Sequence, residues 1–178
     1  TSFTRYCHGM LDDGRVYNRA LTASDITELS DYTGLTATST ITVNNTLDNI
    51  NGNTMSLAQL IADNGGDGIS LREAIAAANN QSGLDTIGFS ISGTGIHTID
   101  VGSSVASSMT ITDAVTIDAT TDDSFAANGN RPAIILDGNN SFTGDGFVLS
   151  SNADGTTIRG FVIRDFSGDG IEIQAGSN

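Results

Sequence analysis

Asp145 and Asp169 hold the same place in an octapeptide that occurs twice, Phe142-Thr143-Gly144-Asp145-Gly146-Phe147-Val148-Leu149 and Phe166-Ser167-Gly168-Asp169-Gly170-Ile171-Glu172-Ile173, at an offset of 24 residues. If the two copies stack as neighbouring strands, their carboxylates lie about 5 Å apart. At that distance they repel by about 0.8 kcal/mol in bulk water and several-fold more where shielded, and a bridging cation such as calcium reverses the sign. A second acidic group, Asp63, Asp67 and Glu73, surrounds Gly68 together with Ser70. These are the residue types of an EF-hand calcium loop, although Glu73 falls one position early and Gly65 stands where a ligand is usual. Each group also has a purely structural reading. Asp145 and Asp169 serve as solvent-facing turn residues, while Ser70 and Glu73 form a helix capping box with Asp67 in the preceding turn.

Other residue sets are of the types that catalysis on polysaccharides requires. A polysaccharide lyase needs an Arg or Lys base beside acidic calcium ligands, and Arg159 and Arg164, near Asp137 and Asp165, are the best placed. The competing reading is a surface ion pair. A polygalacturonase-like hydrolase needs several convergent Asp and a Gly-flanked His. Asp122 and Asp123 are adjacent in an expected loop, but His97 lies between Ile96 and Thr98, so that constellation is absent. His8 and His97 are isolated, and Cys7 has no second cysteine to pair with. The expectation is a chain without catalytic residues of its own.

The net charge is −14, with 21 acidic residues against seven basic ones, every one of them Arg. Such a surface repels phosphate backbones and anionic lipid, which disfavours nucleic acid and membrane surfaces and favours cations. No apolar run is long enough to span a membrane. Aromatic residues are few and Trp is absent, so core volume must come from Ile, Val, Leu and some Phe.

The elements that must carry these residues follow from the pattern. The 24-residue repeat predicts a solenoid whose units stack like on like. Phe142 is then expected over Phe166, Phe147 over Ile171 and Leu149 over Ile173. Residues 38–43 read as a first strand. Ser56 with Gln59, and Ser70 with Glu73, open two short helices with apolar faces Leu57, Leu60, Ile61 and Leu71, Ala74, Ile75, Ala78. From residue 84 onward the apolar segments are all short and strand-like: 87–91, 96–101, 109–111, 115–117, 134–136, 147–149, 158–163 and 171–173. The fold class is therefore mainly β, a right-handed single-stranded parallel β-helix in which residues 38–83 form a strand and a helical N-terminal cap, and residues 84–178 form the coils.

Two stretches resemble known families. The run Gly66-Asp67-Gly68-Ile69-Ser70-Leu71-Arg72-Glu73-Ala74-Ile75-Ala76-Ala77-Ala78-Asn79-Asn80, with Leu84-Asp85-Thr86-Ile87-Gly88-Phe89 after it, resembles the N-terminal cap and first strand of bacterial surface proteins with pectate-lyase-like β-helices. Residues 114–121 and 155–163 are similar to that family's next coils. Residues 9–26 resemble the closing strand and tail of LamG-like, concanavalin-type domains, with Gly14 in place of an aliphatic residue. These resemblances imply a remnant of a LamG-like domain over 1–35, a secreted or cell-surface bacterial protein, and a chain cut from a longer one. They imply a structural stalk or adhesin, with glycans or cell-surface ligands as partners and self-association through open ends of the β-helix. The alternatives are the beginning of a carbohydrate-active lyase or hydrolase, and a glycan-binding module.

Overall fold

Ten short strands, each of three to five residues, form three parallel sheets in a computed structural model that describes residues 39–102 and 105–174. The LamG-like reading of residues 1–35, with His8 and Cys7, lies outside the described residues. In chain order the strands are β1 (Thr40–Val43), β2 (Asp85–Phe89), β3 (His97–Asp100), β4 (Met109–Ile111), β5 (Val115–Asp118), β6 (Ile134–Asp137), β7 (Phe147–Leu149), β8 (Thr157–Arg159), β9 (Phe161–Arg164) and β10 (Ile171–Ile173). The sheets run β1-β2-β5-β8, β3-β6-β9 and β4-β7-β10, so from β2 onward successive strands visit the three sheets in rotation. The fold is mainly β with parallel sheets, as expected.

Register follows from side-chain alternation, because slipping one residue would turn every apolar side chain outward. Ile41, Ile87, Ile117 and Ile158 align as one inward column, and Met109, Phe147 and Ile171 as another. Ile99, Leu136 and Ile163 make a third. The repeat pairs as its spacing predicts, Phe147 with Ile171 and Leu149 with Ile173, and the rings of Phe142 and Phe166 meet edge-on at 6.1 Å. Phe161 contacts Phe89 and Phe147 at 5.5 and 5.7 Å, joining all three sheets through one cluster of rings. Full burial of each such side chain is worth about 1.5–3 kcal/mol.

Two helices precede β2: α1 (Leu57–Ala62) and α2 (Leu71–Asn79). The Ser56 hydroxyl accepts from the Gln59 N–H, and Ser70 with Glu73 completes a full capping box, so both starts lie where the sequence puts them. Leu71, Ala74, Ile75, Ala77 and Ala78 join the main core, and α2 packs on β1, β2 and β4. One face differs from expectation. Ile61 is 56% exposed, because a helix of six residues contacts its neighbours with Leu57 and Leu60 alone.

Two further expectations need correction. Residues 158–163 are two strands in different sheets, broken at Gly160, whose φ of 85° is a left-handed corner. A Cβ there would lie 2.7 Å from the Thr120 amide nitrogen, so the corner requires glycine twice over. Asp122 and Asp123 are not in a loop: Asp122 caps a short helix, α3 (Asp123–Ala127), after a single 3-10 turn at Ala119–Thr121. Gly146 is small because the next layer crowds it. A Cβ on it would sit 2.5 Å from the Gly170 carbonyl oxygen.

Candidate functional site

The acidic residues around α2 converge on protein groups. Glu73 is fully buried, and its carboxylate accepts four hydrogen bonds. Oε1 takes the N–H groups of Asn51 and Gly52 at 2.9 and 2.8 Å, and Oε2 takes the N–H and hydroxyl of Ser70 at 3.0 and 2.9 Å. Asp67 Oδ2 accepts from the side-chain amides of Asn49 and Asn51 at 2.8 and 3.0 Å. Asp63 is exposed at the end of α1, where its carbonyl accepts from the Asn53 N–H at 2.8 Å. The Glu73 and Asp67 carboxylates and the Asp63 backbone carbonyl thus hold residues of the 44–53 segment, each at a different point. Among the described residues no three His, Cys, Asp or Glu side chains gather as a metal ion would require.

Asp145 and Asp169 do stack, but they meet through side chain and backbone. Asp145 Oδ1 accepts the Asp169 N–H at 2.6 Å, and one layer earlier the Ser108 hydroxyl accepts the Asp145 N–H at 3.0 Å. The Ser167 hydroxyl accepts the Gly144 N–H at 3.1 Å. Each turn side chain therefore satisfies a backbone donor of an adjoining layer, groups that would otherwise need water.

The two arginines singled out for catalysis are engaged by acids in the neighbouring strand. Arg159 pairs with Asp118, which also accepts from the Thr120 hydroxyl and N–H at 2.6 and 3.0 Å. The Arg159 hydrogen bond, joined by those from Thr120, holds the Asp118 carboxyl below the usual range against the opposing effect of burial. Arg164 donates to Asp137 Oδ2 from Nε and one terminal nitrogen at 2.9 and 2.7 Å, and its Nε lies 3.4 Å from Asp165. Both pairs follow from register, since Asp118 aligns with Arg159 and Asp137 with Arg164.

Three buried acids carry more than their sequence context suggests. Asp48 and Arg72 form a buried ion pair at 2.5 Å. His97 Nε2, buried and without a hydrogen-bond partner, lies 3.9 Å from Asp122 Oδ1. Burial raises the Asp122 pKa, but hydrogen bonds from the Ser124 side chain and the Ile91 and Ser124 amides outweigh it and leave the group low. The sequence signal that could have revealed the first pair is Arg72 itself, one residue after Leu71 and three before Ile75 on an apolar helix, where a cation must find a partner.

Asp85, fully buried at the start of β2, is the third. Burial pushes its pKa up to about 6, with the Asp113 charge adding to the rise and hydrogen bonds from the Ser39 backbone and Gln81 opposing it. Its Oδ2 has no hydrogen-bond partner. Because the folded value lies above the unfolded one, this group stabilises the fold fully below pH 4 and loses that contribution as pH rises through 6. Asp85→Asn is therefore expected to be more stable than the parent at pH 7.5 by roughly 1–3 kcal/mol, and to show no gain at pH 3.5. Urea denaturation of both proteins at the two pH values measures the difference, and an equal gain at both would exclude titration of Asp85 as its source.

Among the described residues no helix is long and apolar enough to cross a membrane. No family model, curated protein or solved structure matches this chain.

Proposed function

We propose that the three sheets are the faces of a right-handed parallel β-helix closed at one end by α1 and α2, and that the protein is a structural stalk or adhesin of the bacterial cell surface or exterior. The observation that carries this reading is what the polar side chains do. Asp145, Ser108, Ser167, Asp118 and Asp137 all tie one layer to the next, which is the use a rigid rod makes of them. Handedness rests on the rule that crossovers between parallel strands of one sheet are almost invariably right-handed. Outward residues repeat at strand spacing, as in the column Thr40, Thr86, Thr116 and Thr157, and such columns offer hydroxyls to glycans or other surface ligands. Calcium at Asp145 and Asp169 or beside Asp67 would stiffen the rod further. Among the described residues β8, β9 and β10 lie at the edges of their sheets, and such edges give self-association a route by strand pairing.

Arg159 and Arg164, the bases a lyase would use, are held by Asp118 and Asp137, which supports the structural reading over the catalytic one. Incubation with pectin or alginate is expected to release no unsaturated uronate, and release would overturn the proposal. Binding on a glycan array without turnover would move the assignment to a glycan-binding module. Sedimentation at rising concentration is expected to show association, and a strict monomer would exclude edge pairing.

A further inference from the structure

The chain contains three Asn-Gly steps among the described residues, Asn51-Gly52, Asn64-Gly65 and Asn128-Gly129. Asn-Gly is the sequence most prone to spontaneous deamidation, because a glycine amide nitrogen can approach the preceding side-chain carbonyl carbon without a Cβ in the way. The fold treats the three steps differently.

At Asn51 both participants are tied down. The Gly52 N–H donates to Glu73 Oε1 at 2.8 Å, and the Asn51 side-chain amide donates to Asp67 Oδ2 at 3.0 Å. At Asn128 the Gly129 N–H donates to the Ala126 carbonyl at 3.1 Å, while the side-chain amide donates to the Pro132 and Arg131 carbonyls at 3.0 and 3.4 Å. Reaction at either site must first break these bonds and swing the side chain out of place.

Asn64 differs at the attacking nitrogen. It is half-buried, in the exposed turn after α1, and the Gly65 N–H has no hydrogen-bond partner among the described residues. Its side-chain oxygen accepts the Gly66 N–H at 3.1 Å. That bond leaves the side-chain nitrogen free to depart and withdraws electron density from the carbon under attack. It is also placed to stabilise the oxyanion that attack creates, as backbone donors do in enzyme oxyanion holes. Gly65 and Gly66 have φ of 73° and 86°; a Cβ on Gly66 would meet nothing within 4 Å, so the turn is open on that side, while a Cβ on Gly65 would collide with the Asn51 side chain.

We infer that Asn64 is a built-in deamidation site, the one Asn-Gly step of the described fold that reacts while the protein stays folded. Water or hydroxide takes the Gly65 amide proton, the nitrogen bonds to the Asn64 side-chain carbonyl carbon, and the tetrahedral intermediate expels the side-chain nitrogen as ammonia. Water then opens the cyclic imide at one carbonyl or the other, giving aspartate or isoaspartate. No redox partner is needed. The product adds a carboxylate between Asp63 and Asp67, and isoaspartate also lengthens the backbone beside the Asn53–Asp63 hydrogen bond.

Peptide mapping by mass spectrometry after incubation at mildly alkaline pH tests this, with the folded protein and the protein in denaturant run side by side. In the folded protein Asn64 is expected to convert about tenfold or more faster than Asn51 and Asn128, the factor set by the hydrogen bonds those two must break first. In denaturant the three rates are expected to converge, since the sequence step is the same. Conversion of Asn51 or Asn128 as fast as Asn64 in the folded protein would overturn the inference. So would an inert Asn64 in folded protein under conditions where the denatured chain reacts.

Discussion

Asp48→Ala is expected to destabilise the fold by about 3–5 kcal/mol, the cost of leaving a buried charge without its partner. Asp48 is 1% exposed and Arg72 is 6% exposed. Arg72 Nε donates to Asp48 Oδ1 at 2.5 Å, while Asp48 Oδ2 accepts the Gly102 N–H at 2.7 Å. The remaining guanidinium donors reach the Ser107 carbonyl at 2.8 Å, the Ser107 hydroxyl at 3.1 Å and the Ser108 carbonyl at 3.4 Å. One ion pair therefore joins α2 to the 44–50 segment, to the turn after β3 and to the entry of β4. Domains of this size have about 5–15 kcal/mol to lose, so the variant should sit near the unfolding threshold. The double variant Asp48→Ala/Arg72→Met separates the two contributions. It removes the orphaned charge and is expected to recover much of the loss, as replacement of buried ion pairs by apolar groups commonly does. Urea denaturation of the single and double variants checks both, and equal losses would mean that lost packing, not the stranded charge, sets the cost.

Glu73→Gln is expected to cost about 2–4 kcal/mol, although it preserves shape and removes a buried charge. The carboxylate meets four donors and no acceptor. An amide can accept at one oxygen only, so its NH2 must face two N–H groups or the N–H and hydroxyl of Ser70. Either orientation replaces attraction by a donor-donor contact. The effect should be local as well as global. Whichever way the amide turns, either the N–H groups of Asn51 and Gly52 or that of Ser70 lose their acceptor, and that set is expected to exchange hydrogen faster in Glu73→Gln than in the parent, while amides of β5 and β6 keep their rates. Unchanged exchange at all three positions would show that the Glu73 bonds contribute nothing to holding the 44–53 segment.

These two sites mark where sequence reading stopped. The second half of the capping box was legible, because Ser70 and Glu73 stand three residues apart ahead of an apolar helical pattern, and local hydrogen bonds need no distant partner. The other two bonds of Glu73 come from residues 21 and 22 positions earlier, in a segment with no periodicity at all. Asp63 and Asp67, grouped with Glu73 as an acidic loop, are spread by the fold to the end of α1 and to a brace for Asn49 and Asn51. The shared offset of Asp145 and Asp169 correctly put one over the other. It could not say that the lower carboxylate would take the upper residue's amide.

Strand identity, inward and outward faces, and the pairing of Phe147 with Ile171 were all present in alternation and repeat, because both report on backbone geometry over a few residues. The split at Gly160 was not, since Arg159 and Phe161 read as one run until the chain turns a left-handed corner between them. Charge pairing needed the assembled layers most of all. Asp118 meets Arg159 from 41 positions away and Asp48 meets Gly102 from 54, and burial among neighbours from other strands is what turns those meetings into stability. Periodicity carries local geometry along the chain, whereas the partner of a buried polar group is chosen by which segments the packing brings to its side.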